Sequence, residues 1–302
     1  MALLLCIGMG YCAEAIAKTL MAQGWMIAGT SRSPEGAARI TSMGYAGHVF
    51  DGTSVTPELA RAIHNTCNLL VSVAPNAGTD PVLAACRDLL ARRNHLNWIG
   101  YLSTVGVYGD TAGAWVDEDT PPTPRQERTI RRLEAEQAWL DFGAATHRNV
   151  QIFRIAGIYG PGRNPLLNLL DGSAQRIVKP GQVFNRIHVA DIAQGVVTGM
   201  MRGTPGRTYN LTDDEPAPPD EVIAYAAKLL GLDPPPPVPF AEARLSPMAT
   251  SFYADNRRVR NVRLRSELGV DLRYPTYREG LSALAVELRQ SGATPSKGAA
   301  RP

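Results

Sequence analysis

Leu3-Leu4-Leu5-Cys6-Ile7-Gly8-Met9-Gly10-Tyr11-Cys12-Ala13 opens the chain, and the stretch from Trp25 to Arg32 answers it. An apolar strand runs into a G-x-G-x-x-A turn that starts a helix, and a second strand, Trp25-Met26-Ile27-Ala28-Gly29, follows. A dinucleotide diphosphate needs that order: Gly8 permits the tight turn, Gly10 lets backbone approach phosphate, and Ala13 lets helix pack closely on strand. Backbone N–H groups at the helix start, around Tyr11, then face the anion. Gly8, Gly10, Tyr11 and Ala13 are therefore candidate cofactor-binding residues; the alternative is a glycine turn serving geometry alone.

The end of the second strand bears on which dinucleotide. An NAD-binding chain usually places a carboxylate about 20 residues past the glycines, for the ribose 2′-hydroxyl. Here the strand ends in Thr30-Ser31-Arg32. The planar fork of Arg32 beside Ser31 suits a 2′-phosphate, so NADP is expected in preference to NAD. A solvated loop arginine is the other reading.

Outward from this start, strands and helices alternate. A helix is expected over Ala13–Gln23, then a strand at His48-Val49-Phe50 before Asp51, a helix over Pro57–His64 and a strand over Leu69–Val73. A helix over Val82–Arg93, a strand over Trp98–Leu102, a charged helix over Arg125–Phe142 and a strand over Val150–Ile155 complete the series. Such alternation implies an α/β fold, a Rossmann-type doubly wound parallel sheet whose ligands bind beyond the carboxyl ends of the strands. Prolines from Pro216 to Pro239 punctuate the second half around a helix at Pro219–Leu230, which points to a smaller C-terminal substrate-binding region. The expected division is a dinucleotide domain at 1–158 and 186–211, a substrate region at 159–185 and 212–290, and a disordered tail at 291–302.

The 302 residues can bury a sizeable core, and 44% hydrophobic with 20% charged residues is ordinary for a globular protein. A net charge of +3 is too small to indicate nucleic acid. Cys6, Cys12, Cys67 and Cys86 lack metal-like or disulfide-like spacing and read as small hydrophobes in a reducing compartment; no metal is expected. The apolar start lacks a basic flank and ends at Gly8, so neither a signal peptide nor a membrane span is expected. Together these features suggest a cytoplasmic protein without membrane or nucleic-acid partners. Its expected partners are a small-molecule substrate and, as one alternative, a second copy of the chain in a homodimer.

Four further segments carry a family resemblance. These are Tyr101-Leu102-Ser103-Thr104-Val105-Gly106-Val107-Tyr108-Gly109, Phe153 to Gly162, Arg186-Ile187-His188-Val189-Ala190-Asp191 and Tyr209 to Pro216. In this order the chain resembles the extended, and among its subgroups the atypical, short-chain dehydrogenase/reductases, the NAD(P)-dependent epimerase/dehydratase-like group. The resemblance implies that Thr104 holds a substrate oxygen, that Asp51 lies on the adenine side, and that Ala74 and Pro75 approach the cofactor through backbone. Tyr159 and Asn164 would line the pocket. Each has a plainer alternative: strand packing for Thr104, a cap for Asp51, turn chemistry for Tyr159 and Asn164.

The departure from the family matters more. Its Y-x-x-x-K dyad would fall at Arg128 and Arg132, counted forward from Tyr108 and back from Glu136, and no tyrosine lies between Tyr108 and Tyr159. A phenol of pKa ~10 can be lowered until it shuttles a proton, whereas a guanidinium of pKa above ~12 cannot. Arg132 could still donate to the nicotinamide ribose, and Arg128 could bind an anionic substrate or polarise a carbonyl; both could equally form a solvated basic face with Arg125 and Arg131. Tyr108, water or a substrate group is the candidate replacement proton donor; packing or positioning is the plainer role for Tyr108. His188 and Asp191 read as structural groups joining the two regions. Arg257, Arg258, Arg260, Arg263 and Arg265 read chiefly as one solvated helix side, with a phosphate-bearing substrate as the alternative. The implied activity is that of an NAD(P)-dependent oxidoreductase or epimerase/dehydratase-like enzyme acting on a small polar, sugar-derived substrate. The alternative is a non-catalytic NAD(P)-binding sensor or regulator.

Overall fold

β1 (Leu3–Ile7) is so apolar because both of its faces are covered. Leu4 and Cys6 point into one core with α1, while Leu5 and Ile7 point into a second core on the opposite face, and all four are fully buried. The computed structural model describes residues 2–92 and 95–291.

The first half follows the expected alternation. β1 is followed by α1 (Tyr11–Met21), β2 (Met26–Ser31), α2 (Pro34–Ser42) and β3 (Ala46–Val49). Then come α3 (Pro57–Asn65), β4 (Asn68–Val71), α4 (Pro81–Ala91) and β5 (Trp98–Thr104). A 3-10 turn at Val105–Tyr108 and β6 (Trp115–Val116) lead to α5 (Glu127–Thr146), β7 (Asn149–Ile155) and β8 (Gly157–Tyr159). The remainder is α6 (Pro165–Leu170), β9 (Arg176–Val178), β10 (Arg186–His188), α7 (Val189–Arg202), β11 (Thr208–Leu211) and α8 (Pro219–Leu230). β12 (Pro237–Pro239), α9 (Pro247–Tyr253), β13 (Arg258–Val259), α10 (Val262–Ser266) and α11 (Tyr277–Gln290) end the series.

Seven strands form one parallel sheet in the order β11-β7-β5-β4-β1-β2-β3. The order reverses between β1 and β4, the point where a doubly wound sheet opens a crevice at its carboxyl ends. One face packs Ile16, Leu20, Phe153 and Ile192, and the other packs Leu90, Trp139 and Phe142. A third, smaller cluster, including Tyr159, Leu166, Val222, Tyr277 and Leu281, joins α6, α8 and α11. β10 does not enter the main sheet; it pairs with β8 in a separate two-stranded sheet.

Three expectations need correction. α2 went unpredicted, although Ser33 caps it by accepting from Gly36 N at 3.2 Å and Pro34 occupies its first turn. α1 starts two residues before Ala13, because Gly10 already serves as its N-cap. The arginine-rich stretch is not one solvated helix side either. Arg257 donates to Gly109 O, Arg258 donates to Gly113 O, Arg260 lies 5.3 Å over the Trp115 ring, and Arg263 pairs with Asp119. These arginines staple the C-terminal segment to the 109–119 segment, and only Val262–Ser266 is helical.

His188 and Asp191 are bound up in structure. His188 Nδ1 accepts from Ala190 N at 3.2 Å, and its ring lies between Tyr159 and Tyr274. Burial, with Arg273 nearby, pushes its pKa down to about 4. Asp191 accepts from the backbone amides of Arg273 and Tyr274, which ties the start of α7 to the segment before α11. All four cysteines are free thiols, three of them buried. Among the described residues no helix is long and apolar enough to cross a membrane, and no group of three His, Cys, Asp or Glu could hold a metal ion. Beyond Ser291, the expected tail lies outside the described residues.

Candidate active site

Two glycines of the first loop do different jobs. Gly8 has φ +91°, and a Cβ there would sit 2.8 Å from Val73 Cγ1, so conformation and the neighbouring strand both demand glycine. Its amide donates to Thr30 Oγ1 at 2.9 Å. Gly10 has φ −101°, which any residue can adopt, and a Cβ there would meet nothing within 4 Å. Open space over Gly10 is what a ligand approaching the backbone requires.

Glu14 N returns to Gly10 O, while the amides of Tyr11, Cys12 and Ala13 have no acceptor among the described residues. These are the orphan donors of a helix start, aligned with the positive end of the helix dipole. The residues present therefore fit a dinucleotide diphosphate. Ala13 is fully buried under the loop. The Tyr11 phenol is not free for a ligand, because it donates to Pro161 O at 2.8 Å.

At the end of β2, Arg32 is exposed and its guanidinium has no partner among the described residues. Ser31 Oγ packs against the first turn of α2, where a Cβ on Gly36 would lie 1.9 Å away. Asp51 uses Oδ1 to cap a turn, accepting from Thr53 N, Thr53 Oγ1 and Ser54 N, and these bonds lower its pKa. Ala74 and Pro75 follow β4 at the same end of the sheet.

Thr104 ends β5. Its Oγ1 accepts from Gly106 N at 3.0 Å, and its proton has no acceptor among the described residues. Arg128 and Arg132 diverge from α5. Arg132 Nη1 donates to Leu102 O at 3.0 Å, to Tyr101 OH at 3.1 Å and to Val73 O at 3.4 Å, bridging the ends of β4 and β5. Arg128 Nε donates to Gln126 Oε1, and the guanidinium lies 4.4 Å over the Phe252 ring of α9. Burial lowers its pKa, but a guanidinium remains charged.

The reading of Tyr108 as replacement proton donor is not supported by its position. The ring is 1% exposed, the hydroxyl donates to Asn210 Oδ1 at 2.9 Å, and Arg154 covers the ring at 4.9 Å. Burial raises its pKa further from neutrality. Arg154 also makes a buried, two-nitrogen pair with Glu136, which in addition accepts from Ser103. Tyr108, Arg154 and Glu136 therefore form packed structure beneath the site.

A cavity of about 690 Å³ opens beside Thr104. Its wall brings together Thr104, Arg128, Tyr159 and Asn164 of the expected residues. Tyr159 is buried, its hydroxyl donates to Thr276 O at 3.4 Å, and burial raises its pKa. The Asn164 side chain is committed to capping α6, accepting from Leu167 N and donating to Gly160 O. Arg132 and Tyr108 are not on this wall. Sequence reasoning missed Arg163, Arg186, Phe252 and Asp255, and it left Arg257 on the surface; all five line the cavity. Arg186 donates to Phe184 O and Ala217 O, and Asp255 pairs with Arg257 at 3.2 Å. The lining thus sets Arg128, Arg163, Arg186 and Arg257 against the single carboxylate of Asp255.

The signature of the NAD dependent epimerase/dehydratase family matches residues 5–212, from β1 through the end of β11. The chain belongs to that family. Among its relatives, Protein YeeZ of Escherichia coli K12 is 28% identical over 242 residues, covering 76% of this chain and 84% of its own. A conserved protein of unknown function from Silicibacter pomeroyi DSS has a solved structure with TM-score 0.86 and 49% identity, over 95% of this chain and 99% of its own. The dTDP-glucose 4,6-dehydratase of Bacillus anthracis, solved with NAD, superposes with TM-score 0.76 over 97% of this chain and 98% of its own; at 17% identity it speaks for the fold alone.

Proposed function

We propose that the chain is an NADP-dependent oxidoreductase, or an epimerase/dehydratase-like enzyme, acting on a small polar substrate that carries negative charge. The observation that carries this reading is the cationic cavity beside Thr104, at the carboxyl end of β5 and next to the open glycine loop. A bound nicotinamide dinucleotide supplies the capacity to give or take a hydride. Arg32 supports NADP over NAD, as an unpartnered guanidinium where the ribose phosphate would lie.

In this reading Thr104 donates its free hydroxyl proton as a hydrogen bond to the reacting oxygen. Arg128 holds an anionic substituent or stabilises charge developing on that oxygen. Arg132 fixes the ends of β4 and β5, with remaining N–H groups available to the nicotinamide ribose. Neither Thr104 nor Arg128 can exchange a proton near neutrality, so the proton comes from water or from the substrate itself. The cytoplasmic location belongs to the same proposal.

A second reading, a non-catalytic sensor of the dinucleotide, is favoured by one observation. Apart from its arginines, the titratable side chains on the cavity wall are phenols with raised pKa values, Tyr159, Tyr253 and Tyr277, and the already paired Asp255. The test is a fluorescence titration with NADPH, followed by a screen for NADPH consumption with anionic carbonyl compounds. Turnover that Thr104→Val abolishes supports the enzyme. Tight NADPH binding without turnover across the panel moves the conclusion to the sensor.

A further inference from the structure

Residues Gly160 to Arg163 form a tight loop between the two regions. Gly160 N donates to Arg163 O at 2.9 Å, and Arg163 N donates to Gly160 O at 3.1 Å, so the loop is closed on itself. The Tyr11 hydroxyl anchors it to the first turn of α1 through Pro161 O at 2.8 Å. Packing there is tight: a Cβ on Gly160 would lie 2.6 Å from that hydroxyl and 2.7 Å from Val189 Cγ1. The loop is therefore tied, through the Tyr11 side chain, to the first turn of α1, where the amides of Tyr11, Cys12 and Ala13 are unpaired among the described residues.

Arg163 is the charged residue that this loop carries. It is exposed and lines the cavity, and its side chain makes no hydrogen bond or ion pair among the described residues. Its charge is nevertheless felt at the glycine turn, where it lowers the pKa values of both Tyr11 and Cys12 against the raising effect of burial. Every other arginine on the cavity wall already has a partner: Gln126 and the Phe252 ring for Arg128, backbone carbonyls for Arg186, and Gly109 O with Asp255 for Arg257. A cation on a loop tied to that row of unpaired amides, with no counter-ion among the described residues, has the complementarity of an anion clamp.

We propose that Arg163 closes over the dinucleotide from the side opposite α1 and pairs with its diphosphate bridge, with Tyr11 as the positioning residue that holds the clamp in place. The proposal rests on the dinucleotide-binding reading above. It assigns to the loop after β8, which the cavity would otherwise claim for substrate alone, a share in gripping the cofactor. The diphosphate is common to NADPH and NADH, whereas the 2′-phosphate opposite Arg32 is not, and this difference separates the two arginines.

The test measures dissociation constants for NADPH and NADH by fluorescence, in wild type, Arg163→Gln, Arg163→Lys, Tyr11→Phe and Arg32→Asp. A charge-assisted contact predicts a loss of roughly tenfold or more in Arg163→Gln, equal for both dinucleotides, with partial recovery in Arg163→Lys. Tyr11→Phe should show a smaller loss of the same equal kind, and Arg32→Asp a loss confined to NADPH. The side chain of Arg163 makes no hydrogen bond or ion pair among the described residues, so unchanged thermal melting should accompany its variants. Unchanged affinity for both dinucleotides in Arg163→Gln would overturn the clamp, as would a loss restricted to NADPH. Wild-type protein that bound neither dinucleotide would instead overturn the parent reading.

Discussion

Gly10→Ala separates a glycine kept for a ligand from one kept for the fold. Gly10 has φ −101° and ψ −173°, a conformation open to alanine, and its added methyl would meet no protein atom within 4 Å. Replacing glycine by alanine there reduces the freedom of the unfolded chain, worth about 0.4–1 kcal/mol in favour of the variant. Against this, alanine is a poorer N-cap than glycine by roughly 0.5–1 kcal/mol. The two nearly cancel, so the melting temperature should move little. A diphosphate drawn onto the Tyr11, Cys12 and Ala13 amides would meet the new methyl group. Overlap of that kind costs about 1–3 kcal/mol, or roughly 5- to 150-fold in affinity. Gly8→Ala is the control: its φ of +91° and the 2.8 Å approach to Val73 predict a loss of stability whether or not ligand is present. Thermal melts with NADPH titrations on both variants decide the matter. If Gly10→Ala bound NADPH as wild type does, the space over Gly10 would belong to solvent and the assignment of this loop to the diphosphate would fail.

Three other outcomes are expected. Arg32→Asp should weaken NADPH binding by roughly tenfold or more while leaving NADH almost unchanged; equal effects on both would remove Arg32 from the 2′-phosphate. Tyr108→Phe should lower stability by about 1–2 kcal/mol in urea titrations, because Asn210 Oδ1 loses its buried donor, and any turnover found should persist; abolished turnover in a folded variant would restore Tyr108 to the chemistry. His188 has its folded pKa lowered from 6.5 to about 4, so the unfolded chain takes up a proton first as pH falls, and the stability contribution present above about pH 6.5 is lost progressively towards pH 4. At pH 5 this amounts to about 2 kcal/mol, which His188→Asn, retaining a capping acceptor, should not lose; parallel pH profiles for the two proteins would refute the assignment.

What could be read from the sequence was what short segments decide locally. The β1 run, the glycine turn and the β2 end lie within thirty-two residues, and a doubly wound parallel sheet follows from the repeated alternation of buried strand and helix. The missing dyad was legible for the same reason, since counting along one helix places Arg128 and Arg132 four residues apart. Counting could not show that they part company, Arg128 towards Phe252 on α9 and Arg132 towards the ends of β4 and β5. The two readings of Tyr108, proton donor or packed residue, have a similar origin. Its position at a strand end suggests chemistry, but Arg154 and Asn210, 46 and 102 residues further on, claim its ring and hydroxyl.

The charge of the cavity lay beyond local reasoning, because Arg128, Arg163, Arg186 and Arg257 come from separate stretches of chain and converge only through the fold. That convergence has a chemical consequence. On the proposed reading, Arg128 puts a permanent cation where the resemblance places the family's phenolic proton shuttle, in a wall that carries three further arginines. A neutral substrate would find there neither a proton donor nor a charge to pair with, whereas an anionic one would find both an anchor and, beside Thr104, a polarised position for its reacting oxygen. On that reading, Arg128 is better understood as a change in what the site receives than as the simple loss of a catalytic group.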